Sequence, residues 1–341
     1  MMRKRILFFL GVFVVLAGSI VAVIGYDVLF ESNFKGEPIE FFVHPNSELQ
    51  DIVAALDSGL VDADSFEKWA ELKGLPEKLK PGRYVFTEGM TNREMVNRLV
   101  AGIQTPTKLQ FHHVIDFADL AGELARDLQA DSVAFYLALN SDEIWGEHKV
   151  KAEYRLAYIV PNTYEVYWTT SPTDVVNRLI TERDKFWNNT RVEKAKNLGL
   201  TPEEVATLAS IVQSETYMTD EMSKVAGLYL NRLDKSIKLQ ADPTVKYAYE
   251  KANPDQPKVR RVLYGMLELD SPYNTYKYSG LPPGPLSIPE ITAIEAVLNP
   301  EKHDYIFMCA DPDRPGYHAF AKTVRQHARN AQRYQHSQWG N

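Results

Sequence analysis

Residues 201–216 read TPEEVATLASIVQSET, and this stretch has the start signals and the periodicity of a helix with one buried face. Thr201 can cap the helix, Pro202 suits the first helical position, and Glu204 is placed to close a capping box. The apolar positions that recur at helical spacing are Val205, Leu208, Ile211 and Val212. We therefore predict an amphipathic helix that packs its apolar stripe into a core.

Glu215 is predicted to lie on that apolar face, because it is in helical register with Leu208 and Ile211. Gln213 points to roughly the opposite side. Burial disfavours the charged form of a carboxyl group and raises its pKa, so Glu215 would stay protonated near neutral pH and could act as a general acid. The alternative is a helix-end glutamate that reaches solvent or pairs with Lys or Arg, and the spacing taken alone favours that alternative.

Composition restricts the classes of function. The 341 residues include 45 acidic and 38 basic side chains, and the net charge of −7 argues against non-specific nucleic-acid binding. The single cysteine, Cys309, excludes an intramolecular disulfide, and its apolar neighbours indicate a buried strand thiol that is not catalytic. The histidines lack the spacing of a metal-binding motif, so we expect neither a metal nor a cofactor.

Residues 1–30 are predicted to form a cytoplasmic tail and a transmembrane anchor. Residues 6–26 carry no charge and would span about 30 Å as a helix, the thickness of a bilayer's hydrocarbon core. The basic residues 3–5 place the N-terminus in the cytoplasm and the chain from Asp27 onward outside it. A cleaved signal peptide is the alternative, although the apolar run is long for one and no clear cleavage site follows.

Residues 36–105 have the pattern of a small module of helices and strands. Strands are predicted at residues 39–43 and 83–86, with two helices between them. Thr91 and Glu94 can form a capping box that starts a third helix. Such a module could bind peptide or glycan, or could only space the following domain from a membrane, and the pattern favours neither.

Residues 106–341 are predicted to form a second, mixed α/β domain, which assigns the chain to the α+β class. Asp220 is expected to cap the helix that follows Glu215, and Ser287 with Glu290 to form a capping box for a later helix. A hairpin and a closing helix are predicted at the end of the chain.

Four motifs occur in a fixed order in this second domain. They are ASIVQSET at residues 209–216, LQADPTVKYA at 239–248, YNTYKYSGLPPGPLSIPE at 273–290, and the final hairpin. In this order they resemble the YceG-like family of endolytic murein transglycosylases. The resemblance extends from about residue 36 to the end of the chain, and the module at residues 36–105 is similar to the family's LysM-like subdomain.

The resemblance implies a membrane-anchored enzyme that cleaves peptidoglycan glycan strands without water, between N-acetylmuramic acid and N-acetylglucosamine. Glu215 would protonate the leaving oxygen and then, as carboxylate, accept the proton of the muramic C6 hydroxyl, which attacks C1 and leaves a 1,6-anhydro end. The family also implies a single-pass inner-membrane location at residues 6–26 and a partnership with peptidoglycan synthases. The side chains expected to hold the sugars are Gln240, Asp242, Asn274, Thr275 and Tyr276. For Asp242 and Asn274, turn capping is the alternative.

The sequence departs from the family pattern at two positions and is compatible with two rival functions. Gln213 stands where the family has an acidic residue, so an active enzyme must use Glu215, and Asn162 stands where the family has Asp. A hydrolytic muramidase would need a second carboxylate, for which Asp242 is the best candidate. A scaffold that binds cell wall without cleaving it would need neither carboxylate. His318 in the predicted hairpin could contact substrate or be an exposed strand residue.

Overall fold

A computed structural model describes residues 31–339, and these residues divide into two compact units. The first unit comprises residues 31–108, 127–129 and 165–170, and the second comprises residues 109–126, 130–164 and 171–339. Within residues 31–339, no helix is both long and apolar enough to cross a membrane. The anchor predicted at residues 6–26 lies outside the described residues.

The first unit is built on a two-stranded antiparallel sheet of β1 (Ile39–Val43) and β2 (Gly82–Phe86), in which Phe41 lies opposite Tyr84. Its helices are α1 (Leu49–Leu56), α2 (Ala63–Leu72), α3 (Leu75–Lys78) and α4 (Asn92–Ala101). The predicted capping box of Thr91 and Glu94 is present at the start of α4. Four phenylalanines and five leucines are among the buried residues of its core, and each phenylalanine covers a large apolar area in a small unit.

The second unit is mainly helical. Its helices are α5 (Phe117–Asp127), α6 (Ser132–Asn140), α7 (Asp142–Glu147), α8 (Pro172–Phe186), α9 (Asn189–Asn197), α10 (Pro202–Glu215), α11 (Thr219–Asp234), α12 (Asp242–Ala252), α13 (Ile291–Leu298) and α14 (Val324–Trp339), with 3-10 turns at Ala152–Tyr158 and Tyr264–Glu268. Strands β5 (Phe307–Ala310) and β6 (His318–Ala321) pair in this unit, whereas strands β3 (Thr107–Gln110) and β4 (Thr163–Val166), which also pair, each have residues in both units. This mixture of helices and small sheets in the described residues agrees with the predicted α+β class.

Helix α10 is the centre of the second unit. The predicted capping box of Thr201 and Glu204 and the predicted first-turn proline are present. The sequence predicts one buried stripe, but every residue from 205 to 212 is buried, because α11 and α13 pack around the helix. Ser210 is tolerated inside this core since its hydroxyl donates to the Thr207 carbonyl and accepts from the Leu286 amide.

Two predicted helix starts are wrong by a few residues. Helix α11 begins at Thr219 with Met218 as its N-cap, so Asp220 lies in the first turn and does not cap the helix. Helix α13 begins at Ile291 with Glu290 itself at the N-cap position, and no capping box forms. The Glu290 carboxylate instead accepts a hydrogen bond from the backbone N–H of His113, a partner distant in sequence.

Candidate active site

An open cleft of about 350 Å³ in the second unit contains the side chain of Glu215, the last residue of α10. Residues of α11, α12, α14 and the β5–β6 hairpin also line the cleft, together with Leu239, Gln240 and Tyr276 of the connecting segments. The helix delivers Glu215 there because eight consecutive buried residues before it fix the position of its C-terminal turn. The negative end of the helix dipole at this turn opposes a charged carboxylate.

Glu215 has the environment of a general acid. Burial raises the pKa of its carboxyl group above the ordinary value, and the nearby negative charge of Asp242 acts in the same direction. Against these effects, the Tyr229 hydroxyl donates to Glu215 Oε1 at 2.6 Å, and the charge of His318 also lowers the pKa. The net shift is upward, so the protonated form is favoured to a higher pH than for an exposed glutamate.

Arg232 of α11 holds one wall of the cleft in place. Its guanidinium donates to the carbonyl oxygen of Lys238 from Nε and Nη2, at 2.9 and 2.7 Å, and to the Ile306 carbonyl at 2.6 Å. Nη2 also donates to Gln240 Oε1 at 2.7 Å. Gln240 has a φ of +52°, a conformation unusual for a residue with a side chain, and its backbone N–H donates to the Thr275 carbonyl.

Asp242 and Tyr276 form another polar part of the cleft lining. The Tyr276 hydroxyl donates to Asp242 Oδ1 at 2.6 Å, and both side chains line the cleft with Glu215. Asp242 is exposed and is the first residue of α12, where a carboxylate suits the positive end of the helix dipole. Asp242 therefore has both a structural role in α12 and an open face towards the cleft.

Asn274 and Thr275 do not reach the cleft in this structure. Asn274 is fully buried, and its amide donates to the carbonyl oxygens of Leu267 and Leu269. Thr275 is 2% exposed, and its hydroxyl accepts from the Ala241 amide N–H. Of the five residues predicted to bind sugar, the structure brings Gln240, Asp242 and Tyr276 to the cleft, and the other two are buried and do not line it.

His318 of the β5–β6 hairpin lines the same cleft as Glu215 and is partly buried, with 17% of its side chain exposed. Its Nδ1 lies 2.8 Å from Glu221 Oε2, and its backbone N–H donates to Glu221 Oε1 at 2.8 Å. Burial alone would raise the pKa of Glu221, but these hydrogen bonds hold it below its ordinary value. His318 was predicted to be an exposed strand residue or a substrate contact, and its pairing with Glu221 was not predicted.

The two positions that depart from the family pattern lie away from the cleft. Gln213 Oε1 accepts a hydrogen bond from the backbone N–H of Glu290 at 2.7 Å. Asn162 is exposed, and its Oδ1 accepts from the adjacent Thr163 N–H. Neither side chain lines the cleft that contains Glu215.

Gly284 allows the proline-rich loop to lie directly against the 3-10 turn Ala152–Tyr158. A Cβ atom at this position would lie 1.9 Å from the carbonyl oxygen of Glu153, which is backbone and cannot move aside alone. We expect Gly284→Ala to destabilise the protein by about 2 kcal/mol, as overpacking does elsewhere. Thermal unfolding would measure this, with Gly265→Ala as control because a Cβ atom there meets nothing within 4 Å. Equal melting temperatures for the two variants would contradict the packing described.

Cys309 lies in β5, which agrees with its predicted strand position, and it lines the cleft while partly buried. Burial raises the pKa of its thiol, so the thiolate needed for nucleophilic catalysis is disfavoured. The chemistry that the cleft can perform is therefore proton transfer by Glu215, beside hydrogen-bonding side chains that can hold a polar substrate. This is the type of site found in enzymes that cleave glycosidic bonds by general acid catalysis.

Comparisons with known proteins assign the chain to a family. The model of the YceG-like family matches residues 41–333, so the chain belongs to the YceG-like family. It is 30% identical over 273 residues to a Bacillus subtilis protein named endolytic murein transglycosylase, covering 78% of this chain and 71% of that protein. It is also 28% identical over 312 residues to a Streptococcus pneumoniae protein of the same name, covering 83% of this chain but 56% of that longer protein.

A solved structure has a related fold. The crystal structure of a YceG-like protein from Listeria monocytogenes superposes with a TM-score of 0.57 and 25% sequence identity. The alignment covers 86% of this chain and 98% of the Listeria chain.

Proposed function

We propose that this protein is an endolytic murein transglycosylase, a lyase that cuts peptidoglycan glycan strands between N-acetylmuramic acid and N-acetylglucosamine. Membership of the YceG-like family and the names of the relatives in Bacillus and Streptococcus support the proposal. The observation that carries it is Glu215, a carboxyl group that lines an open polar cleft and whose raised pKa favours the protonated form.

Glu215 would act first as a general acid. Its proton passes to O4, the glycosidic oxygen of the leaving N-acetylglucosamine, as the bond between O4 and C1 of the muramic acid breaks. The Tyr229 hydroxyl already donates to one carboxyl oxygen of Glu215 and would stabilise the carboxylate that this step creates. In the simplest form of the reaction, that carboxylate then accepts the proton of the C6 hydroxyl as the C6 oxygen bonds to C1.

Gln240, Asp242 and Tyr276 would hold the sugars, since they line the cleft beside Glu215. For Asn274 and Thr275 we propose a positioning role. Asn274 accepts a hydrogen bond from the Tyr276 backbone N–H, and Thr275 binds the backbone at Ala241, next to Asp242. Through these contacts the two buried residues would fix the orientation of two side chains that meet the substrate.

We place the enzyme at the bacterial cytoplasmic membrane, with its N-terminus in the cytoplasm and its cleft on the outer side. The uncharged run at residues 6–26 and the basic residues before it support this location. Residues 36–105 would form a LysM-like part, and residues 106–341 the catalytic domain. Peptidoglycan strands are the proposed substrate, and synthases that extend those strands at the same membrane surface are the proposed partners.

A hydrolytic muramidase is the second candidate, because Asp242 places another carboxylate in the same cleft. A hydrolase uses such a group as nucleophile or to activate water, whereas the transglycosylase requires only the acid and an acceptor for the C6 proton.

Mass analysis of glycan ends separates these functions. The purified full-length chain, incubated with murein, should produce 1,6-anhydro ends, which lack one water relative to reducing ends. Products cut inside strands, and not shortened stepwise from one end, would identify endolytic cleavage. We expect Asp242→Asn to weaken the activity far less than Glu215→Gln does. Reducing ends with equal losses in both variants would establish the hydrolase, and binding to murein without cleavage would establish a scaffold.

A further inference from the structure

The pair formed by Glu221 and His318 has a hydrogen-bond arrangement that the single-carboxyl reaction does not use. Both Glu221 oxygens accept hydrogen bonds, one from the backbone N–H of His318 and one from its ring Nδ1. Because hydrogen bonds from His318 keep the pKa of Glu221 low, the carboxylate is the acceptor and Nδ1 must carry the proton. In the neutral ring, Nε2 is then left without a proton and can only accept.

Nε2 is also free to meet a substrate. The His318 side chain lines the cleft with Glu215, and Nε2 has no hydrogen-bond partner among residues 31–339. Since Nδ1 is tied to Glu221, the opposite edge of the ring is the one available to a bound molecule. An imidazole oriented by a carboxylate, with its second nitrogen open, is the arrangement by which enzymes hold a general base.

We propose that His318, oriented by Glu221, is the base that removes the proton from the C6 hydroxyl of the muramic acid. This inference rests on the proposed function. In it, Glu215 and His318 each carry out one of the two proton transfers of the reaction. Glu215 gives its proton to O4 as the C1–O4 bond breaks, and the O6–H bond breaks as O6 bonds to C1, with its proton passing to Nε2. The cleft then holds a Glu215 carboxylate and a His318 imidazolium, and proton return from His318 to Glu215 restores both groups.

The charges in the cleft favour this division. Glu215 becomes negative as His318 becomes positive, so each product charge is stabilised by the other in a partly buried site. A positive charge on His318 lowers the pKa of Glu215, in keeping with an attraction between the two product charges. Glu221 would act as a positioning residue, because it fixes the ring tautomer without touching the substrate.

Chemical rescue tests the role of His318. With soluble, uncrosslinked glycan strands as substrate, we expect His318→Ala in the full-length chain to lower kcat for anhydro-end formation about 100-fold, with KM little changed. Added imidazole should restore part of kcat in this variant and none in Glu215→Gln. A loss that imidazole does not restore, or that appears mainly in KM, would overturn the proposal and make His318 a packing or binding residue.

Two further variants test the tautomer. Glu221→Gln keeps an acceptor for the backbone N–H but offers its amide N–H to Nδ1, which moves the ring proton to Nε2, so kcat should fall as far as in His318→Ala. Glu221→Asp keeps the carboxylate and should recover part of kcat. Full activity of Glu221→Gln would reject the positioning role. If the unmodified chain formed no anhydro ends, the proposed function would fail together with this inference, whereas normal ends from His318→Ala would reject the inference alone.

Discussion

Glu215→Gln should lower the rate of anhydro-end formation about 1000-fold, the size of effect expected when a general acid is removed. The amide cannot donate a proton to the glycosidic oxygen, yet its oxygen can still accept the hydrogen bond from the Tyr229 hydroxyl. The cleft should therefore keep its shape and its affinity for murein. Initial rates on glycan strands, with co-sedimentation of the variant and murein sacculi, would separate catalysis from binding.

The matched control is Gln213→Glu, which makes the reverse exchange of glutamate and glutamine on the same helix. Gln213 accepts a hydrogen bond from the Glu290 backbone N–H, and a glutamate at that position can accept it equally well. Because Gln213 does not line the cleft, Gln213→Glu should keep normal activity and should not restore activity to Glu215→Gln. If the double variant regained activity, the acid would not have to lie at position 215, and the assignment would be wrong.

The same Glu215→Gln variant should be more stable than the unmodified protein at pH 8. The pKa of Glu215 is raised in the folded state, so the folded protein favours the protonated form. The free energy of unfolding therefore decreases as the pH rises through that pKa. Glutamine does not ionise and avoids this loss, which is about 1.4 kcal/mol for a pKa difference of one. Thermal unfolding should show the gain at pH 8 and none at pH 4, below the ordinary value of 4.5. A gain that was independent of pH would contradict the raised pKa.

Local sequence signals were sufficient to predict much of the catalytic helix. Thr201 and Glu204 act within one turn, and the apolar spacing that places Glu215 is also a property of neighbouring residues. Tyr229 could be placed on the buried face of α11 from the same periodicity. That its hydroxyl binds Glu215 could not be predicted, because this contact depends on how α10 packs against α11.

Polar residues were harder to interpret from the sequence than apolar ones. Asn274 in a loop rich in Pro and Gly has the composition of a binding site, but its amide satisfies carbonyl groups of its own buried loop. The pairing of Glu221 with His318 joins residues 97 positions apart, and no spacing in the chain indicates it. Burial converts such side chains from possible ligands of a substrate into partners of the backbone or of one another, and burial is a property of the tertiary fold.

Arg232→Met should destabilise the protein by about 3 kcal/mol or more. Arg232 is 5% exposed, and its guanidinium satisfies the carbonyl oxygens of Lys238 and Ile306 together with the side chain of Gln240. Methionine matches the aliphatic part of the side chain but donates no hydrogen bond, so the acceptors of these partly buried hydrogen bonds on two segments would lose their donor. For a protein of 341 residues, 3 kcal/mol should lower the melting temperature by about 4 °C.

Arg232→Lys and Arg325→Met separate the hydrogen bonds of Arg232 from its charge. Lysine keeps the positive charge but has one compact ammonium group in place of the planar fork, so it can serve only some of the acceptors and should give an intermediate loss. Arg325 is exposed on α14, and Arg325→Met removes the same charge with an expected change within about 0.5 kcal/mol. If Arg232→Lys had the melting temperature of the unmodified protein, charge alone would be sufficient at this position.

If Arg232→Met had the same melting temperature as Arg325→Met, the contacts of Arg232 would not hold this wall of the cleft. The expected order of melting temperatures, with Arg232→Met lowest and Arg232→Lys intermediate, would show that the guanidinium holds Gln240 in place. Arg232→Lys should then also weaken substrate binding, while Arg325→Met leaves it unchanged.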